Sequence, residues 1–491
     1  MRLLTVLACL FALSCASTPE AAPAPKPPNI VLIMADDLGY NDIGANGSTI
    51  IHTPHIDALA RDGVRATDGY VAAAVCSPSR AGLHTGRYQT RFGHEFNPSG
   101  RDTEIGLPLD QRTMAQMLSD AGYATGLVGK WHLGKKREYH PLNRGFDEYF
   151  GMLSGGSSYI DSRKPGVSSW PAKNAPTERP DSTAIFDGFE KVQVDDYLTD
   201  VFADKAADFI ERHKDEPFFL MVTPNAPHTP LQATEPYMER YPDVQGDGRR
   251  IFSAMVSAVD DLVGDVTAQL AKHGLEDNTL VVFLSDNGCV KYLSEDVCSN
   301  DPLSGSKRFH LEGGIRIPYL LKWPAKLPKG TTYSQPIISL DLFSTFAAAA
   351  GSDERSQDGV DLTPYLTGET AGAPHEYLFW RAKPNIAVRW GNWKMWKVNK
   401  SNQKLADMTV GGERLPEIDF PGDSPLGQMT VLYDLSADIS EQKNLAAERP
   451  DIVEKLDAEL AKWNAQLAEP LWPSNRSTLY ELDGQMVQLF F

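Results

Sequence analysis

The chain has 491 residues, 42% hydrophobic and 23% charged, a composition ordinary for a soluble globular protein and incompatible with disorder of the whole chain. Its length suggests roughly two or three folding units. A formal net charge of −18 argues against nucleic acid or an anionic membrane surface as partner, since both reward a basic face; an anionic substrate would have to be drawn in by local positive charge.

The N-terminus reads as an export signal over residues 1–15, with Arg2 at its positive end, an apolar run from Leu3 to Leu13 and a small-residue cleavage region. The run is too short to span a bilayer as a mature helix. Cys15 resembles the lipidated cysteine of bacterial lipoproteins, which would anchor the protein to a membrane from the periplasmic side or at the outer membrane. The alternative is plain secretion after cleavage nearby. Residues 16–28 are rich in Ala and Pro without apolar periodicity and read as an extended tether.

From Asn29 to Ala35 an uninterrupted apolar run has the length and pattern of a strand covered on both faces. Similar runs recur at 124–129, 218–223 and 279–285, with helical patterns at 113–121, 197–213 and 251–273 between them. Strands alternating with helices predict an α/β fold with a mostly parallel sheet flanked by helices, here over residues 29–383. Shorter strands follow at 386–390, 393–398 and 430–434, then a helix over 451–467 with Ile452, Leu456, Leu460, Trp463 and Leu467 at helical spacing. Residues 384–491 therefore read as a smaller unit of antiparallel sheet plus helix, whose apolar stripe is core.

In parallel sheets a site collects beyond the carboxyl ends of the strands. Asp36 and Asp37 follow the first strand, Lys130 and His132 the second, His228 the third, and Asp286 and Asn287 the fourth. The Asp and Asn set offers only oxygen, which suits a hard cation such as calcium or magnesium and suits zinc poorly. Of five cysteines, Cys9 lies in the signal, and Cys289 and Cys298 flank a polar loop that a disulfide would close in an oxidising compartment. Cys76 opens the run Cys76-Ser77-Pro78-Ser79-Arg80, followed by Thr85-Gly86. Alone, this segment also reads as a turn with a buried thiol.

The Cys76 run resembles the site at which type I sulfatases convert cysteine to formylglycine, with His84 standing where that family usually has leucine. Further pieces resemble the same family in order: Met34 to Gly39, Gly122 to Gly134, Ser285 to Gly288, Lys307 with Glu312 to Pro318, and Leu432 to Leu435 with Asn444-Leu445. The resemblance implies an alkaline-phosphatase-like fold and hydrolysis of sulfate monoesters, most commonly on polysaccharides or glycosaminoglycans, after maturation by a formylglycine-generating enzyme. It implies metal ligands Asp36, Asp37, Asp286, Asn287 and modified Cys76, with calcium as the ion. It gives Arg80 and Lys130 the task of holding the modified side chain, and His228 and Lys307 contact with the sulfate and the departing oxygen. His132 takes the proton whose loss from the hydrated aldehyde expels sulfate. Serine at residue 76 could manage only the first half of that cycle. His94, beside Glu95 and Asn97, together with His310, Arg316 and the Gly155-Gly156 loop, are expected to shape the sugar pocket. Two other readings stand beside this one: a phosphodiesterase or phosphonate hydrolase of the same superfamily, and a carbohydrate-binding surface protein with Cys76 unmodified.

Overall fold

The computed structural model describes residues 26–98, 104–172, 176–177, 179–291, 296–402, 417–419, 426–474 and 476–491. The signal, Cys15 and most of the tether lie outside the described residues. Five parallel strands form the middle of the main sheet: β1 (Asn29–Ala35), β2 (Ala124–Lys130), β3 (Glu148–Met152), β4 (Phe218–Thr223) and β5 (Thr279–Ser285), in the spatial order β5-β1-β4-β2-β3. β1 is buried along its whole length, and its residues alternate between two cores. Val31, Ile33 and Ala35 face one core and Ile30, Leu32 and Met34 the other, which is why this run shows no polar alternation.

Helix α1 (Cys76–Thr85) contributes Ala81 and Leu83 to the second core. On the opposite face lie α2 (Leu198–His213), which buries Phe202, Ala206, Phe209 and Ile210 at helical spacing, and α3 (Asp247–Lys272). α3 starts earlier than its apolar pattern suggests, because its first turn is held by polar contacts: Arg249 donates to Asp42 Oδ1 at 2.8 Å. The edges of the ten-stranded sheet turn antiparallel, through β6 (Tyr319–Lys322) and Val64–Ala66 on one side and Ile185–Asp187 and Glu190–Val192 on the other. The architecture is the expected α/β arrangement.

A second sheet of seven strands contains β7 (Tyr377–Ala382), β8 (Asn385–Trp390), β9 (Trp393–Lys400), β10 (Gln428–Asp434), β11 (Arg476–Leu482) and β12 (Gln485–Phe490). It begins on the far side of the boundary expected at 384. Ala382 pairs with Asn385, so Pro384 sits in the tight turn of the β7–β8 hairpin. Helix α4 (Pro450–Asn464) packs Ile452, Leu456 and Leu460 on Val388, Met395 and Leu432, ending before Leu467. The second sheet shares a core with segments that flank the main sheet, in which Tyr70, Phe309 and Ile338 meet Trp380, Trp396, Tyr433 and Leu489. Among the described residues no helix is long and apolar enough to cross a membrane. Cys289 and Cys298 are joined in a disulfide, and Cys76 is the free cysteine of the described residues.

Candidate active site

The carboxyl ends of β1, β2, β4 and β5 bring their polar residues to one edge. Asp36 and Asp37 leave β1 in a tight bend, with Asp37 at φ +65, and His132 after β2 adopts φ +60. Left-handed backbone at non-glycine residues is costly and persists where the surroundings over-determine it. Here the Asp36 amide donates to Ala226 O at 3.1 Å and the Asp286 amide to Ala35 O at 3.1 Å, stitching the strand ends together.

Cys76 is the first residue of α1, so its side chain stands at the helix end where backbone N–H groups lack partners in their own helix. Its Sγ lies 2.9 Å from Lys307 Nζ, 3.5 Å from Asp36 Oδ1 and 3.9 Å from Asp37 Oδ1. Arg80 follows one turn later on the same helix face. Its Nε donates to Asp286 Oδ2 and its Nη1 to the Lys130 carbonyl, each at 2.9 Å. Lys130 Nζ pairs with Asp36 Oδ2 at 2.7 Å and Lys307 Nζ with Asp37 Oδ1 at 2.6 Å. Asn287 Nδ2 also donates to Asp37 Oδ1 at 2.6 Å, while its Oδ1 is buried with no hydrogen-bond partner.

Burial pushes the Asp36 carboxyl up to about 7 against the pull of Lys130. For Asp37 burial acts the same way, yet Lys307 and His228 outweigh it and hold the carboxyl well below the usual range. Burial, aided by Asp286, pushes the Cys76 thiol up to about 12, so the thiol as such is protonated at neutral pH and a poor nucleophile.

Two histidines face this cluster. His228 Nδ1 lies 2.6 Å from Thr229 O, which assigns the proton to Nδ1, and its Nε2 lies 3.7 Å from Asp37 Oδ2. His132 is half-buried, its Nδ1 lacks a hydrogen-bond partner, and burial with Lys130 and Arg80 nearby keeps the ring neutral. The Gly155-Gly156 loop lies against both rings. A Cβ on Gly155 would stand 2.6 Å from His132 Nε2, and one on Gly156 3.4 Å from His228 Nδ1. Gly155→Ala is therefore expected to displace the His132 ring and lower kcat by about 10–100-fold, the usual cost of a small misplacement of a reacting group. Steady-state kinetics beside an unchanged circular dichroism spectrum checks this.

The structure brings Asp36, Asp37, Cys76, Arg80, Lys130, His132, His228, Asp286, Asn287 and Lys307 to this one edge. It does not bring the three expected pocket residues there, and that expectation is corrected. His94 is wholly buried behind the start of α1, with Nε2 2.7 Å from Ser77 Oγ and its ring against Trp472. Ser77 Oγ in turn donates to His132 O at 2.7 Å, so His94 must donate its Nε2 proton and acts as a prop. His310 is buried beside Trp396, and burial with Lys394 nearby pulls its ring down to about 3. Arg316 is spent on Asp68 Oδ2 at 2.8 Å, Glu312 Oε2 at 3.2 Å and the Thr67 carbonyl at 2.7 Å. His84, the departure from the family pattern, packs edge-on against Trp131 at 4.9 Å, and burial lowers its ring to about 3, so it fills the core as a neutral side chain. Sequence reasoning missed the supporting roles of Ser77, which was in view within the Cys76 run, and Thr223, whose Oγ1 donates to Lys130 O at 2.8 Å.

The chain matches the family model described as Sulfatase over residues 28–352. It is 33% identical to the steryl-sulfatase of Mus musculus, with 93% of this chain and 85% of that protein covered. It is 34% identical to the N-acetylgalactosamine-6-sulfatase of Canis lupus familiaris over 76% of this chain and 72% of that protein. A solved structure described as Ps i-CgsB in complex with k-i-k-neocarrahexaose is 35% identical, with a TM-score of 0.78 and coverage of 91% of this chain and 95% of that one. Family match, curated relatives and solved neighbour agree with the motifs that meet at the sheet edge: the chain belongs to the sulfatase family and is a sulfuric ester hydrolase.

Proposed function

We propose that the protein removes sulfate from a sulfated carbohydrate, using a formylglycine made from Cys76 and a bound calcium ion, and that it works outside the cytoplasm. One observation carries the metal and nucleophile reading. Asp36, Asp37 and His228 gather around the Cys76 side chain, and beside them Asn287, whose Nδ2 donates to Asp37, keeps a buried Oδ1 with no hydrogen-bond partner. An orphaned oxygen among carboxylates that already draw two lysine ammoniums is what a hard cation would satisfy. Asp36, Asp37, Asp286 and Asn287 would hold it, with the side chain at residue 76 beside them. Bound there, the cation would lower the cost of negative charge on the attacking and sulfuryl oxygens, and formylglycine would offer a hydrated aldehyde hydroxyl as nucleophile in place of an inert thiol.

The chain's own residues supply the rest. Arg80 and Lys130 hold the Asp286 and Asp36 carboxylates in place beside residue 76. Lys307 Nζ, 2.9 Å from Cys76 Sγ, presents its charge where the sulfuryl oxygens would lie. His228 presents Nε2 to the same space, its other nitrogen fixed by Thr229, and can give a proton to the leaving oxygen once protonated. The neutral His132 can accept one at its unpartnered Nδ1.

A carbohydrate substrate is supported by the saccharide held by the solved neighbour, which matches over most of both chains. The steryl-sulfatase relative has similar identity, so identity alone does not choose. The disulfide and the N-terminal signal pattern support export. The test compares nitrophenyl sulfate with a nitrophenyl phosphodiester, using protein co-expressed with a formylglycine-generating enzyme. Sulfate turnover is expected to dominate, to fall about 100-fold or more on chelation, and to return with calcium better than with magnesium. Preference for the phosphodiester would overturn the reading.

A further inference from the structure

The two histidines of the site are held in different ways. His228 has one nitrogen fixed on Thr229 O, the usual means of orienting a reacting imidazole. Among the described residues no hydrogen bond reaches either ring nitrogen of His132. Its ring therefore takes its place from the backbone, which is left-handed there, at φ +60. A residue with a side chain keeps that conformation only where its surroundings impose it.

What imposes it is a line of buried polar groups that starts outside the site. Ser77 is fully buried and donates through Oγ to His132 O at 2.7 Å. A hydroxyl has a single proton to give, and the Ser77 proton stays on His132 because His94 Nε2 occupies another side of the same oxygen, also at 2.7 Å. The Ser77 amide is taken by Asn97 Oδ1 at 3.0 Å, so the end of α1 is capped without help from His94. The loop that carries His94 and Asn97 is pinned in turn by the smaller unit. Leu471 donates its amide to Gly93 O at 2.9 Å, Trp472 Nε1 donates to Phe96 O at 3.1 Å, and Arg381 pairs with Glu95 at 2.7 Å. The Trp472 ring stands edge-on to His94 at 4.8 Å.

We propose that Ser77 and His94 are positioning residues for His132, and that through the loop around them the smaller unit sets the placement of the proton acceptor. This rests on the reading in which His132 takes its proton in the half of the cycle that follows departure of the alcohol. Neither residue touches substrate. His94 fixes the direction of the Ser77 hydroxyl, and that hydroxyl fixes the carbonyl at the bend that aims the His132 ring. The pair therefore governs the second half of the cycle and leaves the first to the groups around residue 76.

Two readouts test the line. In protein that keeps the Cys76 thiol, nitrogen chemical shifts of the His94 ring, assigned by their loss in His94→Gln, should place the proton on Nε2. A proton on Nδ1, towards the Gly106 backbone beside it, would overturn the proposal, because Ser77 would then give its own proton to His94 and none to His132. The second readout is kinetic, with rates normalised to the fraction of residue 76 that mass spectrometry finds modified. Ser77→Ala and His94→Leu should each lower kcat for nitrophenyl sulfate by about 10–100-fold. KM should fall with kcat, so that kcat/KM stays within about threefold and a burst of nitrophenol precedes the slow phase. His94→Gln, whose amide nitrogen can donate to Ser77, should keep most of kcat, and the double variant should lie within about threefold of Ser77→Ala alone. A kcat/KM that falls as far as kcat, losses that multiply in the double variant, or no rescue by glutamine in a protein folded by circular dichroism would each overturn the positioning role, since a merely loosened loop would misplace residue 76 as well. If the unsubstituted enzyme releases no sulfate, the proposed chemistry fails on its own account, and the place of the His94 proton still decides whether the hydrogen-bonded line exists.

Discussion

Cys76→Ala is expected to lower kcat/KM for nitrophenyl sulfate by about 10⁴-fold or more, the scale on which enzymes lose rate when their nucleophile is deleted. The substitution removes one buried atom and no charge, and it leaves the Lys130–Asp36, Lys307–Asp37 and Arg80–Asp286 pairs intact. Stability should therefore change little, by about 1–2 kcal/mol at most, and an unaltered thermal midpoint would locate the loss in chemistry. Cys76→Ser sharpens the test. A serine keeps one hydroxyl beside Lys307 but lacks the second hydroxyl that a hydrated aldehyde has, so it can accept sulfate and cannot expel it by loss of a proton. It is expected to release at most one equivalent of nitrophenol per protein and then stop. A Cys76→Ala protein that turns over at more than a hundredth of the starting rate would remove Cys76 from the chemistry. Mass spectrometry across residues 72–80 of active protein supplies the complementary result, an aldehyde in place of the thiol.

The strands of the main sheet were legible because burial on both faces demands an unbroken apolar run, and β1 and β5 begin and end where their runs do. The site was legible for a related reason. Where such a run stops in an α/β chain the next residues stand at the sheet edge, so Asp36-Asp37, Lys130, His228 and Asp286-Asn287 could be placed together without any side-chain coordinates. What could not be read was which polar residues face a pocket and which face each other. His94, His310 and Arg316 have the residue types of a binding site, and each is satisfied or enclosed in the interior. Polarity in a loop signals function only if the loop faces solvent, and a buried ionic network carries the same composition. The second sheet begins earlier than the shorter strands at 386–390 suggested, because Tyr377–Ala382 pairs with Asn385–Trp390 as the first arm of a hairpin. Glu441 carries no motif at all, and its importance comes wholly from packing.

That residue belongs to a buried charge cluster against the second sheet, where Lys394 Nζ lies 2.8 Å from Glu312 Oε1 and 3.0 Å from Glu441 Oε1, with all three side chains fully buried. The Glu312 amide donates to Glu441 Oε2 at 2.7 Å. Burial alone would raise Glu312, but Lys394 and Arg316 outweigh it and hold the carboxyl at about 2, whereas burial and the adjacent Glu312 push Glu441 up to about 7 despite Lys394. Lys394→Met is expected to cost about 3–5 kcal/mol, because it strands buried carboxylates that had shared one ammonium. The pH dependence identifies the cause. Without the ammonium, Glu312 keeps Arg316, but Glu441 loses the charge that offset burial and Glu312, so its folded pKa rises further above the unfolded one and the variant is most stable with Glu441 protonated and loses stability as pH rises through that value. Its thermal midpoint should lie furthest below that of the parent near pH 8 and approach it towards pH 5, whereas a mere packing defect would leave a gap that does not change with pH. The same variant should also lose activity. The segment from Ser304 to Arg316 carries Lys307 and leans on the second sheet: Ser304 Oγ donates to Ser440 O at 2.6 Å, and the Phe309 ring stacks edge-on against Tyr480 at 4.7 Å. Loosening Glu312 within that segment moves Lys307 away from residue 76, so kcat should fall about 10-fold or more. Unchanged kcat in a destabilised Lys394→Met protein would mean that local backbone bonds alone fix Lys307, its amide on Cys289 O and that of Arg308 on Ala74 O.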